Sequence, residues 1–402
     1  MFYDTLNMKR YMIFVGEKMD NYFEQGNFEP FVYKRLNEVI DTYKNDADSY
    51  VVFDYDNTSI IMDIEDNLNV YLMEHLAYRL TPEELYETLT NPDYREELYQ
   101  TFDRRFKNAT GFNLAEDIYK EYQWLYDNYI SLENRSEDLL KKIKETEHYK
   151  TFRAKLRLFH THVNGKLSRR PSNGWMTYLF AGHTVDSFKE LCRSCIEESL
   201  EKPFEKVTYE SSENIPGKSG VVTSTFKSGL SVPEELLNLY RAFTNNGITT
   251  YIVSASPRVY VEVAAEMLGH SVKVDNIVAM EFEEDNGVIT PVMKADSPIT
   301  KGPGKTEAIQ KLIMPKHNGK QPVAMFGDSI GDYDMMQTFN ETPLSVIFNR
   351  HMTDDFKQLI DLAIEQYNQK DARFVLQGRD ENTGVLIPSQ SSISFGETEP
   401  KL

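Results

Sequence analysis

Cysteine is nearly absent from this chain: Cys192 and Cys195 are the only two in 402 residues. A disulfide framework therefore does not hold the fold together. Long apolar runs are missing too. None approaches the roughly 18 residues needed for a membrane-spanning helix, so no membrane partner is expected. Positive charge is in deficit, with 44 Lys and Arg against 63 Asp and Glu and a formal net charge of -19. No basic stripe is evident, which argues against nucleic acid as a partner. The stretch from Met1 to Asp20 lacks the uninterrupted apolar segment of a secretion signal. A cytoplasmic location is expected, although a secreted chain with its signal removed would read the same way.

What is present is a globular composition, 40% hydrophobic and 12% aromatic, with length enough for a large domain carrying an insertion. Residues 7–45 read as helical, with apolar positions spaced among charges. The run Ser49-Tyr-Val-Val-Phe53 is β-rich and continuously apolar, as expected of a strand buried on both faces of a parallel sheet. From about 66 to 210 the chain is rich in Tyr, Glu and Leu at helical spacing, for example Glu83–Leu89 and Ala115–Tyr129.

After Gly229 the pattern alternates. It predicts helix 232–245, strand 249–254, helix 259–268 and strand 274–279, then a hairpin of 279–282 against 288–293 around Asp285-Asn-Gly287. A helix over 305–313, a strand over 322–326, a helix over 333–339 and a strand over 344–348 follow. Such alternation marks an α/β fold with a parallel sheet. The expected organisation is an N-terminal helical extension (1–48), an α/β core (49–65 and 211–388), a helical cap (66–210) and a tail (389–402). Its Ser, Gly and Glu content suggests that the tail is partly mobile.

Four pieces of this chain carry chemistry. Asp54-Tyr-Asp56-Asn57-Thr58 follows the apolar strand directly, where the chain leaves the sheet at its carboxyl edge. Two carboxylates there point the same way. One can attack phosphorus while the other moves a proton at the leaving oxygen. An Asp turn bonding its own backbone is the alternative for this piece alone. Ser254 ends the strand Thr-Thr-Tyr-Ile-Val-Ser, offering a hydroxyl and the backbone N–H groups from Ala255 onward; a helix cap is its plain alternative. Lys305 opens a helix after Gly302-Pro-Gly304. A Walker phosphate loop is excluded there, because position 299 is Ile rather than Gly. Finally, Met325-Phe-Gly-Asp328-Ser-Ile-Gly-Asp332 runs from a strand into an acidic turn. Asp328 and Asp332 beside Asp54 make a hard oxygen site of the kind Mg²⁺ prefers.

In this order, each at a strand end or helix start, the four pieces resemble the haloacid dehalogenase superfamily. Its motifs are Asp-x-Asp-x-Thr, a Ser or Thr after a strand, a Lys, and Gly-Asp with a second Asp four residues on. The resemblance covers roughly residues 49–64 and 205–350. It implies a Rossmann-like parallel sheet with a large helical cap inserted between the first two motifs. It also implies Asp54 as nucleophile, Asp56 as general acid/base, and Ser254, Lys305, Asn57, Thr58 and Ala255 as phosphate binders. Metal ligation would fall to Asp54, Asp56 (through its carbonyl), Asp328 and Asp332, the last through water or Lys305. Lys305 lies 23 residues before Asp328, a spacing similar to that of phosphoserine phosphatases, which favours it over Lys301.

The second carboxylate favours a phosphatase over a dehalogenase. The implied activity is Mg²⁺-dependent hydrolysis of a small phosphomonoester bearing an amine or choline head; transfer to another acceptor, or binding without catalysis, are the alternatives. Asn57 in place of the usual Ser is similar to phosphorylcholine phosphatases. Tyr71, Tyr78, Tyr86, Tyr94, Tyr99, Tyr119, Tyr122, Trp124, Tyr126 and Tyr129 could pack a core or hold a quaternary ammonium. Asp63, Glu65 and Asp66 could meet an amine or simply be solvated. His160 and His162, read as an extended or loop segment, are a weak metal candidate. Cys192 and Cys195 read as helix packing, and Arg379 has no derivable contact.

Overall fold

The computed structural model describes residues 21–90, 96–130, 136–167 and 178–402. Eleven strands lie within them: β1 (Tyr50–Phe53), β2 (Lys206–Glu210), β3 (Thr223–Lys227), β4 (Thr249–Pro257), β5 (Ile277–Met280), β6 (Phe282–Asp285), β7 (Val288–Met293), β8 (Ala324–Gly327), β9 (Ser345–Phe348), β10 (Phe374–Asp380) and β11 (Val385–Ile387). Seven form one sheet in the order β11-β10-β9-β8-β1-β4-β5. All its pairings are parallel except β10 with β11. The parallel α/β sheet expected from the alternation, and the Rossmann-like architecture implied by the resemblance, are the ones observed.

Every residue of β1 is buried, which is why the run reads as apolar without a period of two. Phe53 is stacked on Phe326 of β8 at 3.8 Å and on Tyr240 at 4.2 Å, from helix Glu234–Asn245. β1 lies between β4 and β8. Its carboxyl end thus opens where successive crossovers leave in opposite directions, the place where ligands bind in open α/β sheets.

The helix expected over 7–45 is shorter. It spans Pro30–Tyr43, residues 21–29 are irregular, and 7–20 lie outside the described residues. Pro30 explains the start: it has no N–H and forces the preceding Glu29 out of helical geometry (φ -55°, ψ 134°). The Glu29 carboxylate then accepts the free N–H groups of Phe31 and Val32.

Between β1 and β2 the described residues form helices Ile64–His75, Pro82–Leu89, Gly111–Leu125, Glu137–Lys144, Glu147–Leu167 and Val185–Glu201. Each of the long apolar-striped ones buries that stripe in a shared core. β2 pairs antiparallel with β3 and packs on helix Glu147–Leu167. The division drawn at 210 therefore separates two paired strands. A buried ion pair ties the loop between them to the helices: Lys155 Nζ donates to Asp117 at 2.8 Å, and Asp117 also accepts from Lys218 N, Ser219 N and Ser219 Oγ.

The second hairpin is β6 against β7, so its first strand starts at Phe282 rather than at Ala279, which belongs to β5. His160 and His162 lie on helix Glu147–Leu167, not on an extended segment. His160 contacts Asn69 Oδ1 at 2.6 Å, and His162 stacks on Phe102. The tail does not trail away. Ile393 N donates to Arg379 O and Glu381 N to Ile393 O, and Ser392 pairs with Lys401.

Candidate active site

Asp54 continues β1 by one residue, donating its N–H to Phe326 O at 3.0 Å. This brings its side chain to the carboxyl edge of the sheet, where it is 6% exposed. The chain then turns sharply. Asn57 sits in the left-handed region (φ 59°), its N–H bonded to Met62 O, and Ser59 Oγ donates to Asp54 O at 2.6 Å.

Asp328 and Asp332 arrive from β8. Gly327 makes room for the second of these, since a Cβ there would lie 2.7 Å from the Asp332 carboxyl. Asp332 Oδ2 accepts the N–H groups of Asp328 and Ser329 at 3.0 and 3.3 Å. Lys305 reaches the cluster from helix Pro303–Ala308. Its Nζ is 2.5 Å from Asp54 Oδ1 and 2.7 Å from Asp332 Oδ1. Gly304 permits the tight entry into that helix: a Cβ there would clash with Ile299 O at 1.7 Å. Thr58 Oγ1 donates toward Asp54 at 3.3 Å and Asp328 at 3.2 Å. The structure thus brings Asp54, Thr58, Lys305, Asp328 and Asp332 into one contact network across three separate segments.

Asp56 faces the same cavity. Its two oxygens accept from Ile64 N and Ser256 Oγ, both at 2.7 Å. Ala255 and Asn57 line the cavity as well. Ser254 is placed differently: its hydroxyl is fully buried, accepts from Ser256 N at 3.1 Å, and is not part of the cavity wall, where Ala255 and Ser256 stand instead.

Burial is the main cause that pushes Asp54 well above the usual carboxylate range; Asp332 adds to it and Lys305 opposes it. Asp56 is raised likewise, first by burial, then by Asp63 and Asp54. For Lys305, burial works against the charge, but Asp332 and Asp54 more than offset it and hold the ammonium above its ordinary value. Carboxylate oxygens of Asp54, Asp328 and Asp332 lie within 4.8 Å of one another. Three hard oxygen donors at that separation, with burial pushing the Asp54 and Asp332 carboxyls toward the neutral form, suit a small divalent cation.

Two contributors escaped the sequence reading. Arg350 follows β9 and sets its Nη1 2.5 Å from Asp328 Oδ2. It stands just past a buried parallel strand, as Asp54 does, and that position was the available signal. Ser256 was hidden because β4 runs on through a register shift to Pro257. Arg379 now has a place: it is 1% exposed and donates to Asn57 O at 2.8 Å and Asn57 Oδ1 at 3.1 Å.

The cavity holds about 680 Å³. Asp63 and Glu65 line it, whereas none of the described aromatic residues singled out in the inserted block does. Tyr78 and Tyr122 are buried against each other edge to face, and Tyr94 lies outside the described residues. Asp66 is engaged by Arg157. Cys192 and Cys195 are buried on helix Val185–Glu201, with Tyr260 OH donating to Cys195 Sγ.

A parallel sheet with acidic turns at the carboxyl ends of adjacent strands defines a class of α/β hydrolase with its site at the sheet edge. Residues 131–337 match the haloacid dehalogenase-like hydrolases, and the chain belongs to that family. The matched span holds Ser254, Lys305, Asp328 and Asp332, while Asp54 and Asp56 precede it. No curated protein matches the chain. Among solved structures, it is similar to a conserved functionally unknown protein from Anaerococcus prevotii DSM 20548, with 26% identity, a TM-score of 0.83, and coverage of 94% of this chain and 100% of that one. A substrate-bound phosphoserine phosphatase complex matches at 12% identity and a TM-score of 0.33, covering 75% of this chain and 85% of that one. Cytosolic 5'-nucleotidase IIIB bound to cytidine matches at 12% and 0.36, covering 90% and 86%. No helix among the described residues is long and apolar enough to cross a membrane.

Proposed function

We propose that this hydrolase is a Mg²⁺-dependent phosphatase that cleaves a small phosphomonoester through an aspartyl-phosphate on Asp54. The observation that carries this reading is the contact of Lys305 with both Asp54 and Asp332 beside Asp328. It supports this reading because it sets the proposed nucleophile beside a fixed cation and a hard-ligand pair at the carboxyl ends of the adjacent strands β1 and β8. Asp54 and Asp328 would hold Mg²⁺ with the Asp56 carbonyl. Asp332, which accepts from Lys305 Nζ and from the N–H groups of Asp328 and Ser329, supports them through Lys305 and the turn. The bound ion supplies positive charge to the phosphoryl oxygens.

In the first step Asp54 Oδ bonds to phosphorus and the ester oxygen leaves, taking a proton from Asp56. In the second, Asp56 takes a proton from a water that attacks the phosphoryl group. Inorganic phosphate departs and the Asp54 carboxylate is restored. The raised pKa of Asp56 suits it to the acid role in the first step. Lys305 and the N–H groups near Ala255 are the groups that would bind phosphate, while the Asn57 N–H, taken by Met62 O, holds the turn. Ser254, withdrawn from the wall, acts by fixing the Ser256 turn.

Asp63 and Glu65 on the cavity wall support a substrate with an amine near the ester. With the inserted block's described tyrosines away from that wall, the aromatic cage gives no support for choline. Phosphate release from phosphoserine, phosphoethanolamine, phosphorylcholine and an aryl phosphate, with and without Mg²⁺, tests the reading. No release from any of them would overturn it, and product phosphate recovered on an acceptor other than water would make the enzyme a phosphotransferase.

A further inference from the structure

A second cavity of about 510 Å³ adjoins the first, and Asn57, Asp63 and Arg350 line both. The two differ in charge. Beyond the shared residues, the catalytic cavity is walled by acids such as Asp54, Asp56, Glu65 and Asp328. The second is walled by Arg157, Lys206 and Lys227, with Asp66 as its only further acid among the described residues. In a chain of net charge -19, this local surplus of positive charge needs a reason.

Part of it is structural. Arg157 is spent on Asp66 and on Thr225 O, and Lys227 pairs with Glu381 at 3.0 Å. Lys206 is different: it has no ion-pair partner among the described residues, and it opens β2 directly opposite Lys227 on β3. Cross-strand like charges destabilise a hairpin, so the pair is placed against local stability. The buried His160 beside them is held neutral, its pKa lowered to about 3 chiefly by burial, and adds no charge.

Resting on the phosphatase reading, we propose that the natural substrate is a phosphomonoester whose leaving group carries a second anionic group, carboxylate or phosphate, reaching past Arg350 to Lys206 and Lys227. Such a leaving group is longer than ethanolamine or choline. The rim shared by the two cavities is where it crosses from one to the other. Charges at the edge of a site steer and select anionic ligands in this way.

The test uses alkyl phosphates of graded chain length ending in hydroxyl, carboxylate or phosphate. With the intact enzyme and Mg²⁺, kcat/KM is expected to be higher for an anionic terminus than for hydroxyl at matched length. The carboxylate and phosphate arms tell the two sources apart. In Lys206→Ala/Lys227→Ala that preference should fall about tenfold, the scale of losing two partly exposed charges, and it should weaken with added salt. A preference that is absent in the intact enzyme, or unaltered in the variant, overturns the proposal. Binding of the same esters to Asp54→Asn by calorimetry separates the two readings. If nothing is turned over yet the anionic preference in binding persists and depends on the lysines, hydrolysis falls and the anion annex stands; if the preference is absent in binding too, the annex falls.

Discussion

Arg379, on a strand more than 300 residues away in sequence, holds Asn57 by both its carbonyl and its side-chain oxygen, at 2.8 and 3.1 Å. Asn57 is in the left-handed region, where a non-glycine residue is strained and must be held by its surroundings. Arg379 is itself fixed by Glu381 at 2.8 Å. Arg379→Met should therefore cost about 3 kcal/mol or more, the scale of breaking a buried charge pair by removing one partner. It should also lower kcat, because Asp54 and Asp56 lose their common turn. Urea melts and turnover of an aryl phosphate check both, and an unchanged denaturation midpoint would show that the turn needs no clamp.

Much of this arrangement was legible in the sequence because its signals are local. β1, β4, β8 and β9 are short apolar runs, and Asp54, Asp328 and Asp332 stand at fixed offsets from strand ends. What was not legible depends on contacts distant in sequence. Arg350 resembles any surface arginine until β9 is set beside β8. Arg379 resembles one too until β10 completes the sheet. The inserted block left two options open: tyrosines at helical spacing bury their rings for packing as readily as they line a site, and Tyr78 and Tyr122 pack. His160 and His162 alternate like strand residues, but their helix is decided by the apolar stripe around them.

Mg²⁺ should stabilise the metal-free protein, since a ligand that binds only the folded state raises its melting temperature. Asp328→Asn should abolish most of that shift. Arg350 competes for the same carboxylate, with its Nη1 2.5 Å from Asp328 Oδ2. Arg350→Gln should accordingly bind Mg²⁺ more tightly, by about two- to fivefold, the scale of a partly exposed charge pair. Isothermal calorimetry reads both effects; weaker Mg²⁺ binding in Arg350→Gln would mean that the guanidinium organises the site rather than competing in it.

The contribution of Asp63 and Glu65 to the stability of the metal-free protein should fall between about pH 4 and pH 8. Below about pH 6.5 it is opposed by buried His160 and His270, whose lowered pKa values make stability rise with pH there. Burial is the first cause that lifts Asp63 to about 6 and Glu65 to about 8, above unfolded values of about 3.9 and 4.3. Groups raised on folding contribute stability that is complete below the unfolded pKa and lost as pH rises through the folded one. Carboxylates lowered on folding, such as Glu381 at about 2, lose their contribution only at more acidic pH. Denaturant melts at about pH 6.5 and pH 8, above the range where the buried histidines oppose it, should show the drop, and Glu65→Gln should flatten it. A Glu65→Gln variant whose stability falls over that range as steeply as that of the intact protein would contradict this assignment.

Asp56 has opposite tasks in the two proposed steps, and the choice of leaving group separates them. An alkoxide leaves poorly and needs the proton that Asp56 carries, so Asp56→Asn should lose about 10²- to 10⁴-fold on alkyl phosphates. A nitrophenolate leaves without help, so the first transfer to Asp54 should survive in the same variant. The second step cannot, because an amide at position 56 offers no carboxylate to take a proton from water. Rapid mixing of Asp56→Asn with an activated aryl phosphate should therefore give a burst of phenolate close to one per enzyme, followed by a slow phase. Acid-quenched protein should carry phosphate in an acyl linkage on Asp54. A variant that turns over the activated ester without a burst would place the general base elsewhere, and Asp56 would keep only its acid role.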